Sequence, residues 1–261
     1  MTVQPFAHRK LFLTDRGPRD LVAVLKNEDN VHQKGLYDLD GTLHRGVYPS
    51  LLHGISNADL AIYLALRIPF LQLPRFVSEG IDIFCYERRH IQEGKDEDRP
   101  RHISFLVNSF QRSLERFPER LIMNAVQFIP RMRYPHAREV LREIRADGVI
   151  ISCGFHPVVE AYGNVFGIEN IYANPLFEFD PKQHRGIYGA GDKERIARSI
   201  DADRFVVIGD TADDIGMADA AKSRNPESVV IAMHGRCSHL ASRADIIASS
   251  WKDIAALLET D

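Results

Sequence analysis

Cysteine is scarce. Cys85, Cys153 and Cys237 are the only three, they stand far apart, and no two share a paired spacing. That excludes a disulfide framework and a zinc knuckle, and it fits a reducing compartment, so a cytoplasmic location is expected. Long apolar runs are missing too. The most apolar window, ADLAIYLALRIPFLQLP (58–74), is broken by Arg67, Pro69 and Gln72. It reads as a packed helix, and no membrane partner is expected. The first residues, MTVQPFAHRKLFL, lack the apolar core and small-residue cleavage site of a signal peptide. Nor is there an excess of positive charge: 33 basic against 36 acidic residues give a net charge of −3. Nucleic-acid binding is therefore not expected, and the local clusters ERRH (87–90) and RPRH (99–102) read as solvated faces. Eleven histidines show no HExxH-type spacing, so no zinc site is argued from them.

What remains is an ordinary packed chain, 44% hydrophobic and 26% charged. Residues 1–33 read as a polar N-terminal extension holding one short helix, RDLVAVLKN (19–27). KGLYDLD (34–40) reads as a buried strand ending in acids. Residues 51–125 carry apolar positions at helical spacing without strand alternation, as in HISFLVNSFQRSLERF, with the charged stretch EGKDEDRPR (93–101) as an exposed loop. From there the pattern alternates. PHAREVLREIRADG (135–148) reads as an amphipathic helix stopping at Gly148. VIIS, RFVVIGD, SVVIAM and ADIIAS read as short strands, and the segments between and after them as helices. Short apolar strands alternating with helices imply an α/β fold, a Rossmann-like parallel sheet with helices on both faces. The expected organisation is a core of residues 34–50 and 126–261, with a small helical cap, 51–125, inserted after the first strand.

Three strands end in polar groups: GLYDLD in Asp38 and Asp40, VIIS in Ser152, FVVIGD in Asp210. Ligands of open parallel sheets bind beyond the carboxyl ends of the strands, so these residues converge if the strands are neighbours. Two carboxylates one residue apart at the end of a buried strand repel each other, and burying either is costly unless a cation sits between them. A three-acid cluster suggests a hard divalent cation such as Mg2+, which prefers oxygen ligands. Lys193, at the start of the expected helix GDKERIARSI, adds a mobile positive charge. A cation, a lysine, a hydroxyl and backbone amides match what a phosphoryl group requires.

DLDGTL (38–43), Ser152 after its strand, Lys193, and VVIGDTADDIGMA (206–218) resemble, in order, the four motifs of the haloacid dehalogenase superfamily. The stretch ISCGFHPVVEAYGNVFGIENIYANPLFEF (151–179) is similar to the phosphoserine phosphatase-like branch. The resemblance implies a Mg2+-dependent phosphatase acting on a small-molecule phosphate ester. In that reading Asp38 is the nucleophile that becomes an aspartyl-phosphate, and Asp40 is the general acid and then base. Gly41, Thr42, Ser152, Cys153, Gly154 and Lys193 form the phosphate-binding set. Asp38, the main-chain oxygen of Asp40, and Asp210 are the implied metal ligands. Asp214 would orient Lys193 or hold a water at the metal, and Asp213 would cap the next helix or support the metal site. Lys182 is a weaker rival to Lys193. Cys153 has no histidine and acid arranged around it and is not read as a nucleophile.

The resemblance also implies a glutamate soon after the first motif in phosphoserine-specific members; here HRGVYPSLLHG follows, with no acid between Asp40 and Asp59. His44, Arg45, His53, Arg75, Glu79 and Arg88 are instead the candidates for reading the leaving group. A phosphotransferase or mutase, and a catalytically silent phosphate-binding regulator, remain the competing functions.

Overall fold

The computed structural model describes residues 4–5, 12–13, 16–46, 55–67, 99–177, 186–235 and 237–260. Eight strands form one sheet: β1 (Gln4–Pro5), β2 (Phe12–Leu13), β3 (Gln33–Tyr37), β4 (Asp147–Phe155), β5 (Asn170–Asn174), β6 (Arg204–Gly209), β7 (Val229–Met233) and β8 (Ile246–Ala248). Their order is β1-β2-β8-β7-β6-β3-β4-β5. Strands β3 to β8 are mutually parallel, and β1 and β2 add an antiparallel edge beside β8. The acid-bearing strand, expected to be the first, is therefore third in the chain. It lies inside the sheet, between β6 and β4. The chain leaves β3 on one side, towards β4 and β5, then returns to β6 on the other, and this reversal of strand order opens a crevice at the carboxyl ends.

Ten α-helices are described: α1 (Pro18–Leu25), α2 (Ser56–Ala65), α3 (Arg99–Leu114), α4 (Glu119–Val126), α5 (Ala137–Glu143), α6 (His156–Phe166), α7 (Ala190–Ser199), α8 (Ile215–Arg224), α9 (Ser238–Ala241) and α10 (Trp251–Leu258). Successive residues of a strand face opposite sides, and the core divides accordingly. Tyr37, Ile150, Val206, Ile208 and Ile231 pack with α1, α5, α6 and α10 through residues such as Leu21, Val140, Val158 and Trp251. Leu36, Val149, Ile151, Val207 and Val230 pack with α7, α8 and α9 through Ile196, Met217 and Leu240. Both faces are covered, which is why β6 and β7 read as unbroken apolar runs.

Three boundaries differ from the sequence expectation. The helix expected to run from 135 to 148 ends at Glu143, and β4 starts at Asp147. Tertiary pairing overrides helical spacing there: Arg145 N–H donates to Leu25 O, and Asp147 pairs in register with Lys34, the two side chains meeting at 2.9 Å. The charged loop expected through 101 ends earlier, because α3 begins at Arg99, with Pro100 in its first turn, where its missing N–H costs nothing. Finally, residues before 34 are not merely a lead-in. Leu21 and Leu25 on α1 are fully buried, and Arg204 at the start of β6 holds Asp29, Asn27 and Gln33 through hydrogen bonds of 2.6–3.0 Å. Among the described residues no helix is long and apolar enough to cross a membrane.

Candidate active site

Asp38 follows β3, Ser152 lies within β4, and Asp210 follows β6, so the three neighbouring strands deliver their polar ends to one place. Asp38 N–H continues the ladder by donating to Ile208 O at 3.0 Å. The backbone then turns. Leu43 and His44 N–H both donate to Leu39 O, and Gly41 N–H donates to His44 O at 3.1 Å, closing a tight loop over residues 39–44. Gly41 takes φ +80°, and a Cβ there would lie 2.2 Å from Asp210 Oδ2. The close approach of backbone and carboxylate requires glycine. Thr42 is fully buried. Its hydroxyl lies 3.4 Å from Asp210 Oδ1, and its carbonyl accepts from the Trp251 indole at 2.9 Å, tying the loop to α10.

Lys193, on the first turn of α7, is 1% exposed. Its ammonium donates to Asp38 Oδ1 at 2.6 Å and Asp214 Oδ1 at 2.7 Å. The other Asp214 oxygen accepts from Asp210 and Thr211 N–H at 2.9 and 3.0 Å, so both its oxygens are engaged. Carboxylate oxygens of Asp38, Asp210 and Asp214 all lie within 4.8 Å of one another. Two of these carboxylates, Asp38 and Asp214, hold one ammonium, and Asp210 stands beside them. Burial, and then the Asp214 charge, push the Asp38 carboxyl well above the ordinary carboxylate range, against the pull of Lys193. Burial works to discharge Lys193, but Asp214 and Asp38 outweigh it and hold the lysine protonated. The excess negative charge, on hard oxygen donors, suits a divalent cation.

Asp40 points elsewhere. Its Oδ1 accepts from Ser56 N–H at 2.8 Å, at the N-terminus of α2. Burial raises its pKa, while His44 and Ser56 moderate the rise. Ser152 is fully buried and its Oγ accepts from Gly154 N–H at 2.9 Å, leaving the hydroxyl proton for another acceptor. Ser56 Oγ lies beside it, buried and with no hydrogen-bond partner among the described residues. Cys153 is partly buried, its carbonyl accepting from Asn174 at 2.8 Å. Burial pushes its thiol pKa well up, away from a reactive thiolate.

The structure thus brings Asp38, Gly41, Thr42, Ser152, Lys193, Asp210 and Asp214 together, with Asp40 at the margin. It separates others. Asp213 does not join the acid cluster: both its oxygens accept from Arg99 at the start of α3, each at 2.9 Å. His44 does not reach a leaving group, because its ring is 0% exposed and held between Tyr162 and Asp59. Arg45 is exposed. His53, Arg75, Glu79, Arg88 and Lys182 lie outside the described residues. Sequence reasoning missed Ser56, Asn57, which accepts from Phe155 N–H at 3.3 Å, and Arg99. The available signal was the polar start SNAD of an otherwise apolar helix.

Carboxylates, a lysine and a hydroxyl are thus gathered at a strand-order reversal. A family model for haloacid dehalogenase-like hydrolases matches residues 36–219, and the chain belongs to that family. No curated relative matches the sequence. Among solved structures the chain is similar to a phospho-aspartyl intermediate analogue of phosphoserine phosphatase, at 17% identity and TM-score 0.58 over 87% of this chain and 98% of that one. It is also similar to an apo form of phosphoserine phosphatase, at 18% identity and TM-score 0.54 over the same shares of the two chains. A third likeness is to cytosolic 5'-nucleotidase IIIB bound to cytidine, at 12% identity and TM-score 0.60 over 95% and 93%. At these identities the likeness is one of fold.

Proposed function

We propose that the protein is a Mg2+-dependent phosphatase that hydrolyses a small-molecule phosphomonoester through an aspartyl-phosphate. The observation that carries this is the Lys193 ammonium bridging Asp38 and Asp214 beside Asp210. Asp38 attacks phosphorus. The bond from phosphorus to the ester oxygen breaks, its electron pair stays on that oxygen, and the oxygen takes a proton from Asp40. In the second half Asp40, now a carboxylate, takes a proton from water as the water attacks phosphorus, and the bond to Asp38 breaks. Lys193 neutralises charge on the phosphoryl oxygens, and Ser152 donates to one of them. The unpartnered Ser56 hydroxyl beside Ser152 supports a second such donor. Asp38, Asp210 and the main-chain oxygen of Asp40 are the groups that would hold Mg2+, which supplies further positive charge to the phosphoryl group. Asp214 keeps Lys193 in place.

In this reading residues 51–125 form the cap, 34–50 and 126–261 the core, and Arg99–Asp213 joins the two. Cys153 and Cys237 are free, which fits a reducing cytoplasm. The test is phosphate release from 4-nitrophenyl phosphate and a panel that includes phosphoserine and nucleoside monophosphates. Release that requires Mg2+, is removed by EDTA, and is lost in Asp38→Asn is the expected result. Equal inactivity of wild type and variant across the panel would overturn the proposal, and transfer to an added alcohol without net phosphate release would make it a phosphotransferase.

A further inference from the structure

A buried polar chain lies beside the loop that carries Asp40. Tyr162, on α6, donates its hydroxyl proton to Ile129 O at 3.1 Å. That uses its one proton, so towards His44 Nδ1, 2.6 Å away, the phenolic oxygen accepts and Nδ1 carries the hydrogen. The ring is thereby turned so that Nε2 meets Asp59 Oδ2 at 2.9 Å, on α2. His44, Asp59 and Tyr162 are all buried. The His44 main chain meanwhile closes the loop that carries Asp40 and Gly41, giving its carbonyl to Gly41 N–H and its N–H to Leu39 O. Asp59 is three residues beyond Ser56, on the same face of α2 and one turn away. The turn of helix whose Ser56 N–H holds Asp40 Oδ1 is therefore pinned by Asp59 to the very loop on which Asp40 rides.

We infer that His44 and Asp59 are positioning residues that lock the first turn of α2 against the Asp40 loop and so aim the Asp40 carboxyl at the leaving oxygen, with Tyr162 fixing the His44 ring. The inference rests on the phosphatase reading. It predicts a loss specific to proton donation. The ratio of kcat/KM for 4-nitrophenyl phosphate to that for phenyl phosphate reads this, because kcat/KM covers the step in which the ester oxygen departs and phenol is the poorer leaving group. Asp59→Ala should widen the ratio about tenfold or more. Asp59→Asn should restore it to within about threefold of wild type, because the amide is the same size and can hydrogen-bond Nε2 in the same geometry, through its N–H or its oxygen.

Equal losses on both substrates in a folded Asp59→Ala, or an Asp59→Asn no better than Asp59→Ala, would overturn the inference. If Asp59→Ala does not fold by circular dichroism, Tyr162→Phe carries the same test by freeing the other side of the ring, with a widened ratio supporting and a uniform loss overturning. Failure of the phosphatase reading shows separately, as a wild type that releases no phosphate from either ester, and it would overturn the positioning role with it.

Discussion

Replacing Gly41 by alanine should disable the site more than it destabilises the fold. At φ +80° an L-residue costs about 1–2 kcal/mol. The added Cβ would also lie 2.2 Å from Asp210 Oδ2 and 2.7 Å from Asp210 Cγ, distances at which something must shift. Relieving such a contact in a packed site typically costs about 1–3 kcal/mol more. Each kcal/mol moves Tm by about 2–4 °C in proteins of comparable size, so Gly41→Ala should lower Tm by roughly 4–20 °C. The Asp210 carboxylate has to retreat by the order of 1 Å, a displacement that can cost about 100-fold in kcat/KM. Gly167 supplies the control. It closes α6 at φ +73°, and a Cβ there meets nothing within 4 Å. Gly167→Ala carries the conformational cost alone, about 1–2 kcal/mol, with activity unchanged. Differential scanning fluorimetry and aryl-phosphate kinetics measure both variants. If Gly41→Ala kept wild-type kcat/KM while losing no more stability than Gly167→Ala, the close packing of loop and carboxylate would be refuted.

Two further predictions concern Asp40 and Asp213. A carboxyl whose pKa is raised keeps its proton to higher pH, so kcat/KM should fall as pH rises through the raised Asp40 value. Asp40→Asn should flatten that alkaline fall and lower kcat/KM for phenyl phosphate by about 100-fold or more, measured between about pH 5 and 9. Asp213→Asn breaks the bidentate pair with Arg99, whose two side chains are 16% and 11% exposed, and should cost about 1–3 kcal/mol by thermal denaturation. Because Asp213 stands outside the Lys193 cluster, kcat at saturating substrate should change far less than in Asp38→Asn.

Much of the site was legible in the chain because its chemistry is local. A strand ending in Asp38 and Asp40, a strand carrying Ser152 and a strand ending in Asp210 can each be read from a few residues, and parallel-sheet topology then forces their ends together. Lys193 was legible only through the order of the motifs, and its 2.6 Å contact with Asp38 comes from the packing of α7 against the sheet. Asp213 and Asp214 sit side by side in one short turn, and the sequence offered two alternatives for each. One faces Lys193 and the other faces Arg99, a distinction made by backbone direction. His44 read as a candidate for recognising the leaving group, and its burial follows from α2 and α6 closing over it.

The sequence by itself therefore determined the alternation of strands and helices, the acids at the strand ends and the family of hydrolases to which the chain belongs, since hydrophobic periodicity and motif spacing are properties of short segments. Only the tertiary structure decided that β3 lies between β6 and β4, that Leu21 and Leu25 ahead of it are buried in the apolar cluster, that β4 begins at Asp147, and which of the many polar side chains are buried against one another. Those outcomes depend on partners distant in the chain. A hydrogen bond between His44 and Tyr162, or between Ser56 and Asp40, forms because packing removes the alternative of water.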